Sequence, residues 1–446
     1  MRRVGLLLVF LCCAACSPAR QPLAPGARPT AVVLFVGDGF GISHLTLARH
    51  ALRGPEGRLA LETLPVVGLV TTYSASNAVT DSGAAATAFA AGVKSDNQYI
   101  GLDAHRRSVR TIGEQAAEKG WRHGYVTTTR ITHATPACFY AHHADRYDET
   151  AIAAQLVAHM PDLALGGGLT EFLPADQHGS RKDGRDLVAE ARRAGIAVLE
   201  RGSPLAAPAG ARVLGLFAMS HLAYQLDDRE LPRERRDPAL ADMTRFALER
   251  LGEGGRSFFL MIEGGRIDHA AHGFDAAGVV AEVAAFDEAV AAAIAYQRAH
   301  PGTLLLATAD HSTGGLMIND WARWGDLSRH HASLDTLARL IRDDAAGTDL
   351  LAEKLGYPDF TPEDLAAVRA APTSYDADRA LGSRVAQRDG FTWLPRVIYE
   401  ATDGHTGEDV MLFAGGPGAE RFAGHLDNTD IPKRIAEILG WEPPNP

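Results

Sequence analysis

The chain has 446 residues, 46% of them hydrophobic and 22% charged, with a formal net charge of -11. That composition is ordinary for a globular chain, argues against disorder and supplies enough apolar material for a large buried core. The acidic balance and the lack of any long Lys/Arg run argue against nucleic acid as a dedicated partner, so an anionic ligand needs local positive charge, which bound metal ions can provide.

Residues 1–15 read as an export signal, with Arg2 and Arg3, an apolar run over 4–11, and small residues ahead of Cys16. The run is too short to span a bilayer stably. The segment Cys13-Ala14-Ala15-Cys16 resembles a bacterial lipoprotein cleavage site, which predicts lipid on Cys16, a membrane anchor through it, and a periplasmic location. Cleavage without lipid would instead release a soluble periplasmic protein. Residues 16–30 are rich in Pro, Ala and Gly and suit a tether. Three of the four cysteines fall in or at the end of the signal, so Cys138 stands alone in the body and no disulfide framework is expected.

From residue 31 onward short apolar runs alternate with helical patterns. This predicts an α/β fold with a doubly wound, mostly parallel sheet and helices on both faces. Strands are expected over 31–36, 124–128, 163–165, 213–217, 258–262, 303–307 and 410–413, and helices over 42–52, 109–118, 150–159, 240–251 and 276–298. Residues 31–446 read as one catalytic unit, interrupted at about 321–400 by a mostly helical, cap-like insert. His330 and His331 fall in that insert and read as surface histidines at a helix start.

In an open parallel sheet, ligands gather at the carboxyl ends of the strands. Here those positions are acidic or His. Asp38 follows the first strand within Gly37-Asp38-Gly39-Phe40-Gly41. Glu263 ends the strand at 258–262 and leads into Gly264-Gly265-Arg266-Ile267-Asp268-His269-Ala270-Ala271-His272, where Asp268 and His272 share one face of a helix. Asp310 and His311 follow the strand at 303–307. They can chelate together only on irregular backbone, which Thr313-Gly314-Gly315 supplies. His405 sits in a glycine-flanked turn. One acidic residue after a strand is more often a helix cap than a ligand, but three in succession on buried strands reverse that preference. Carboxylates and imidazoles in these numbers suit zinc, with a harder, oxygen-rich position for magnesium.

The nucleophile candidate is Ser82, in Val79-Thr80-Asp81-Ser82-Gly83-Ala84-Ala85-Ala86-Thr87-Ala88. The alanine-rich run places it near a helix N-terminus, where free amides favour an anion. Taken alone, that serine would merely cap a helix. Arg146, in Ala141-His142-His143-Ala144-Asp145-Arg146, could grip two phosphate oxygens at once.

Together the motifs VGDGFG, TDSGAAATA, THATPACFYAH, EGGRIDHAAH, TADHSTGG and DGHTGEDV, in that order, resemble the alkaline phosphatases from about residue 31 to 441. The resemblance implies hydrolysis of phosphate monoesters through a phosphoserine at Ser82, with two zinc ions and one magnesium ion. It places Asp268, His272 and His405 on one zinc and Asp38, Asp310 and His311 on the other. Asp38, Thr135 and Glu263 fall to magnesium, and Arg146 to the substrate phosphate. Two supporting positions that vary within the family are His133 and His269 here. Histidines there weaken the case for a tight magnesium site and predict a higher working pH. Family members are often homodimers, although the chain gives no independent sign of it. The nearest alternatives are a phosphodiesterase or a sulfatase of the same superfamily, and Ser82 lacks the Pro and Arg context that a sulfatase needs.

Overall fold

The computed structural model describes residues 28–343, 346–394, 402 and 404–446. The expected signal, Cys16 and most of the tether lie outside the described residues, as do 395–400 of the expected insert. Among the described residues no helix is long and apolar enough to cross a membrane.

The described residues supply twelve strands, β1 (Ala31–Gly37), β2 (Val66–Thr71), β3 (Arg122–Arg130), β4 (Leu163–Gly167), β5 (Ala197–Glu200), β6 (Val213–Leu216), β7 (Phe258–Gly264), β8 (Thr303–Ala309), β9 (Ser312–Thr313), β10 (His405–Thr406), β11 (Val410–Gly415) and β12 (Gly424–Asp427). Ten of them form one sheet in the order β12-β2-β11-β8-β1-β7-β3-β4-β6-β5. Only β11 runs against the rest of that sheet. The inner strands β1, β7 and β8 are mostly apolar and buried along their whole length, as a sheet covered on both faces requires, with Glu263 near the carboxyl end of β7 as the one charged residue in them. β2 behaves differently because it lies toward the sheet's edge, and its Val67 and Leu69 side chains face solvent.

The seven strands expected from sequence are all present, while β2, β5, β9, β10 and β12 are additions. The helix expected over 109–118 begins three residues later, at Ile112–Glu118. Thr111 sets that start: its Oγ1 accepts the Glu114 N–H while Glu114 Oε2 accepts the Thr111 N–H, a reciprocal cap that fixes the first turn.

β1 sits between β7 and β8; the chain passes from it to β2 on one side of the sheet and from β2 across to β3 on the other. This is the switch point at which α/β sheets open a crevice. The register aligns Gly37 with Gly264 and with Ala309, so the residues that follow β1, β7 and β8 emerge at one level.

Between β9 and β10 the helices Leu334–Asp343, Thr348–Leu355, Pro362–Arg369 and Ser374–Asp389 pack around a small core of their own, which includes Leu337, Ile341, Leu351, Leu365 and Leu381. His330 departs from its expected exposure. It is buried, with Nε2 3.4 Å from Asp389 Oδ1 and its ring beside Tyr357. His331 is exposed as expected. The difference follows from the turn of backbone between them, which points one side chain inward and the next outward.

Candidate active site

The carboxyl ends of β1, β7 and β8 bring Asp38, Glu263, Asp310 and His311 into one buried cluster. The His311 Nε2 atom lies 3.2 Å from Asp310 Oδ2, 3.5 Å from Asp38 Oδ1 and 3.3 Å from Ser82 Oγ. Asp310 is fixed by its other oxygen, Oδ1, which accepts the N–H groups of Gly39 and His311. Gly39 is required at its position, because its φ is +66° and a Cβ there would lie 2.7 Å from Asp268 Oδ1 and Thr313 Oγ1.

Asp268 and His272 do share a face of the short helix Arg266–His272, with His272 Nε2 3.2 Å from Asp268 Oδ2. The β9–β10 pair carries His405 over to the same carboxylate, 3.7 Å from Asp268 Oδ1. His405 Nδ1 faces the Thr80 carbonyl at 3.0 Å, which holds the ring with Nε2 turned inward. The His405 and His311 rings stack at 3.6 Å, so His311 stands between the two groups. Glycines 314 and 315, with φ of +75° and +56°, give the turn after Asp310 and His311 the irregular backbone that their joint use demands.

Among the described residues, three sets of candidate ligand atoms each converge within 4.8 Å: Asp38, Asp310 and His311; Asp268, His311 and His405; and Asp38, His133 and Glu263. The first matches an expected set. The second replaces His272 by His311, and the third brings in His133, which the sequence suggested only as a supporting residue. Thr135, on the short helix Ala134–Ala137, is buried without a hydrogen-bond partner for its Oγ1 among the described residues.

Both Asp38 oxygens, Asp310 Oδ2, Glu263 Oε1 and His133 Nδ1 are likewise buried and unpartnered among the described residues. Such a concentration of orphaned acceptors is costly unless cations fill it. Burial, followed by the Asp310, Asp268 and Glu263 carboxylates, pushes Asp38 well above the usual carboxylate range. Burial also pushes Asp310 up to about 8. Burial works upward on Asp268 too, but His272, with His405 and His311, outweighs it and holds that carboxyl low. Burial lowers His133, His269, His311 and His405, which keeps the imidazoles neutral and their lone pairs available to a metal. The residues therefore fit metal ions.

Ser82 is the first residue of the buried helix Ser82–Ala91. The helix is capped by the preceding residue, Asp81, whose Oδ1 accepts the Ala84 N–H. Its other oxygen, Oδ2, accepts from Arg146 Nη1 at 2.8 Å. The second Arg146 terminal nitrogen, Nη2, lies 3.3 Å from His133 Nε2, so the guanidinium spans the gap between the serine helix and the candidate metal-binding residues. The sequence motif contained Asp81 but gave it no role.

This combination, a serine at a helix start, an arginine beside it and three converging ligand sets at a sheet switch point, agrees with known proteins. Residues 30–441 match the family model for alkaline phosphatase. The chain belongs to the alkaline phosphatase family. "Alkaline phosphatase 3" of Bacillus subtilis is 34% identical over 92% of this chain and 89% of its own length. The crystal structure of the Thermus thermophilus alkaline phosphatase is 31% identical, covers 98% of this chain and 97% of its own, and superposes with a TM-score of 0.84. A variant of the alkaline phosphatase from the Antarctic bacterium TAB5, solved with magnesium bound, is 27% identical over 93% of this chain and 99% of its own, with a TM-score of 0.69. The protein is thus a hydrolase of a metal-dependent phosphatase family, and its sheet is the family's sheet.

His221, on the loop after β6, went unnoticed in the sequence. Its ring lies 4.5 Å from that of His269 and 5.6 Å from that of His133. Arg130 Nη1 is 2.6 Å from His221 Nε2, and Arg266 Nη1 is 2.8 Å from His269 Nδ1. The supporting positions His133 and His269 therefore form part of a three-histidine cluster flanked by arginines. A lone histidine in a loop carries no signal that could have revealed this.

Proposed function

We propose that the protein is an exported phosphatase that hydrolyses phosphate monoesters through a phosphoserine at Ser82, using two zinc ions and one magnesium ion. The observation that carries the reading is the convergence of Ser82 Oγ, Asp38 Oδ1 and Asp310 Oδ2 on the single atom His311 Nε2. Asp38, Asp310 and His311 would hold one zinc; Asp268, His272 and His405 would hold the other; Asp38, Thr135 and Glu263 would hold magnesium, with His133 close enough to join them. Metal ions bound there stabilise an ionised serine oxygen and the developing charge on the leaving oxygen.

In this reading Ser82 attacks phosphorus in line with the departing alcohol, from a helix terminus that favours the anionic group. Arg146 grips the equatorial oxygens, and its pairing with Asp81 presets the guanidinium plane before substrate arrives. Water then cleaves the phosphoserine in a second in-line step, so phosphorus configuration is retained overall. Export, lipid on Cys16 and periplasmic residence rest on the sequence of residues 1–16, and a homodimer rests on the family resemblance.

The test is hydrolysis of a chromogenic monoester by chelator-treated protein, before and after addition of zinc and magnesium, beside a diester at matched metal loading. Monoesterase activity restored by metal supports the reading. Restored activity on the diester alone moves the substrate assignment to the phosphodiesterases.

A further inference from the structure

The helix Ser374–Asp389, from the segment between β9 and β10, reaches the metal-ligating residues directly. The Tyr375 hydroxyl lies 3.1 Å from His272 Nδ1. Arg379, one turn along and buried, donates from Nη1 to the same hydroxyl at 2.7 Å. The guanidinium is stacked over the Phe274 and Tyr375 rings, 4.6 and 5.4 Å from their centroids. Close packing holds the helix at this height: Gly382 sits against the Gly273 carbonyl, where any Cβ would collide at 1.9 Å.

We infer that Tyr375 and Arg379 are positioning residues for His272, forming a relay that orients this imidazole toward Asp268 and sets its strength as a metal ligand. The inference rests on the reading of His272 as a zinc ligand. When Nε2, the nitrogen turned to Asp268, binds zinc, the proton of His272 resides on Nδ1 and is donated to the tyrosine oxygen. Metal-bound histidines are usually backed by a carboxylate or a backbone carbonyl, which raises their basicity. Here the partner is a phenol oxygen that already accepts from a guanidinium, so it draws less density onto the ring. The helices between β9 and β10 thereby supply the outer support of one ligand, and a disturbance of them would reach the metal.

Zinc affinity, measured by competition with a chromophoric chelator on the full chain, tests this without reference to turnover. The wild-type protein is compared with His272→Ala, Tyr375→Phe, Arg379→Gln and Arg379→Lys. We expect Tyr375→Phe to weaken one zinc site by about 10–100-fold and leave the other unchanged. Arg379→Gln, which removes the charge that draws density from the phenol oxygen, should strengthen that same site alone, and Arg379→Lys, which keeps the charge, should leave it as in the wild type. If His272→Ala abolishes one site while Tyr375→Phe and Arg379→Gln both stay within twofold of wild type, the relay is wrong and the ligand assignment stands. If His272→Ala leaves both zinc sites intact, the ligand assignment itself fails, and the relay with it. Should Tyr375→Phe not fold, Arg379→Gln decides the matter alone.

Discussion

Arg146 and Asp81 form a buried ion pair, Nη1 to Oδ2 at 2.8 Å, immediately beside Ser82. Burial works against the charged guanidinium, but Asp81 outweighs it and holds Arg146 firmly protonated. The same carboxylate accepts the Ala84 and Gln98 N–H groups, so the arginine, the serine helix and the neighbouring loop share one anchor.

Arg146→Ala should lower kcat/KM for a monoester by about 10–100-fold, the loss expected for a hydrogen bond to a charged group worth about 1.5–3 kcal/mol. Asp81→Asn keeps the helix cap but releases the guanidinium, so inhibition by inorganic phosphate should weaken several-fold. Steady-state kinetics with phosphate as competitor read both, and an unchanged inhibition constant in Asp81→Asn would refute the presetting role.

The three-histidine cluster predicts a measurable metal preference. Burial keeps His133, His221 and His269 neutral, and His133 stands with Asp38 and Glu263 at a position where magnesium prefers oxygen. The double variant His133→Asp, His269→Lys should bind magnesium at least about tenfold more tightly and work best at a lower pH. Titration calorimetry and a pH–rate profile check this, and unchanged values for both would rule it out.

Glu282 offers a prediction away from the chemistry. Burial pushes its carboxyl up to about 7, although Oε1 accepts the Gln225 N–H at 2.7 Å. The unfolded chain ionises near the ordinary glutamate value while the folded one stays protonated. Stability is therefore untouched at low pH, falls as pH rises from about 4.5 to 7, and is flat above that, with a total loss on the order of 3–4 kcal/mol. Glu282→Gln keeps the acceptor and removes the proton. Its stability relative to wild type, followed by denaturant unfolding, should rise across this window, and a constant difference would contradict the assignment.

Much of the site was legible because sheet topology concentrates it. Asp38, Glu263, Asp310 and His311 all sit at the ends of buried apolar strands whose runs are easy to see. β5 and β12 escaped because Glu200 in one and His425 and Asp427 in the other break the short apolar run that made β6 visible, and β2 because a central glycine and two outward apolar residues blur its pattern. His221, Asp81, Tyr375 and Arg379 escaped for another reason: each works through a contact distant in sequence, and its local surroundings look like an ordinary loop, cap or solvated helix. His330 shows the same limit, since its burial depends on Asp389 and Tyr357 from other turns of the chain.

The central claim is that Ser82 carries the phosphoryl group, and acid quenching during turnover of a monoester tests it most directly. Mass spectrometry of the digested protein should find phosphate on the peptide containing Ser82, absent without added metal and absent in Ser82→Ala, which should also lose nearly all activity. Full turnover by Ser82→Ala, or a quenched enzyme that never carries phosphate while product forms in one step with inversion at phosphorus, would contradict it.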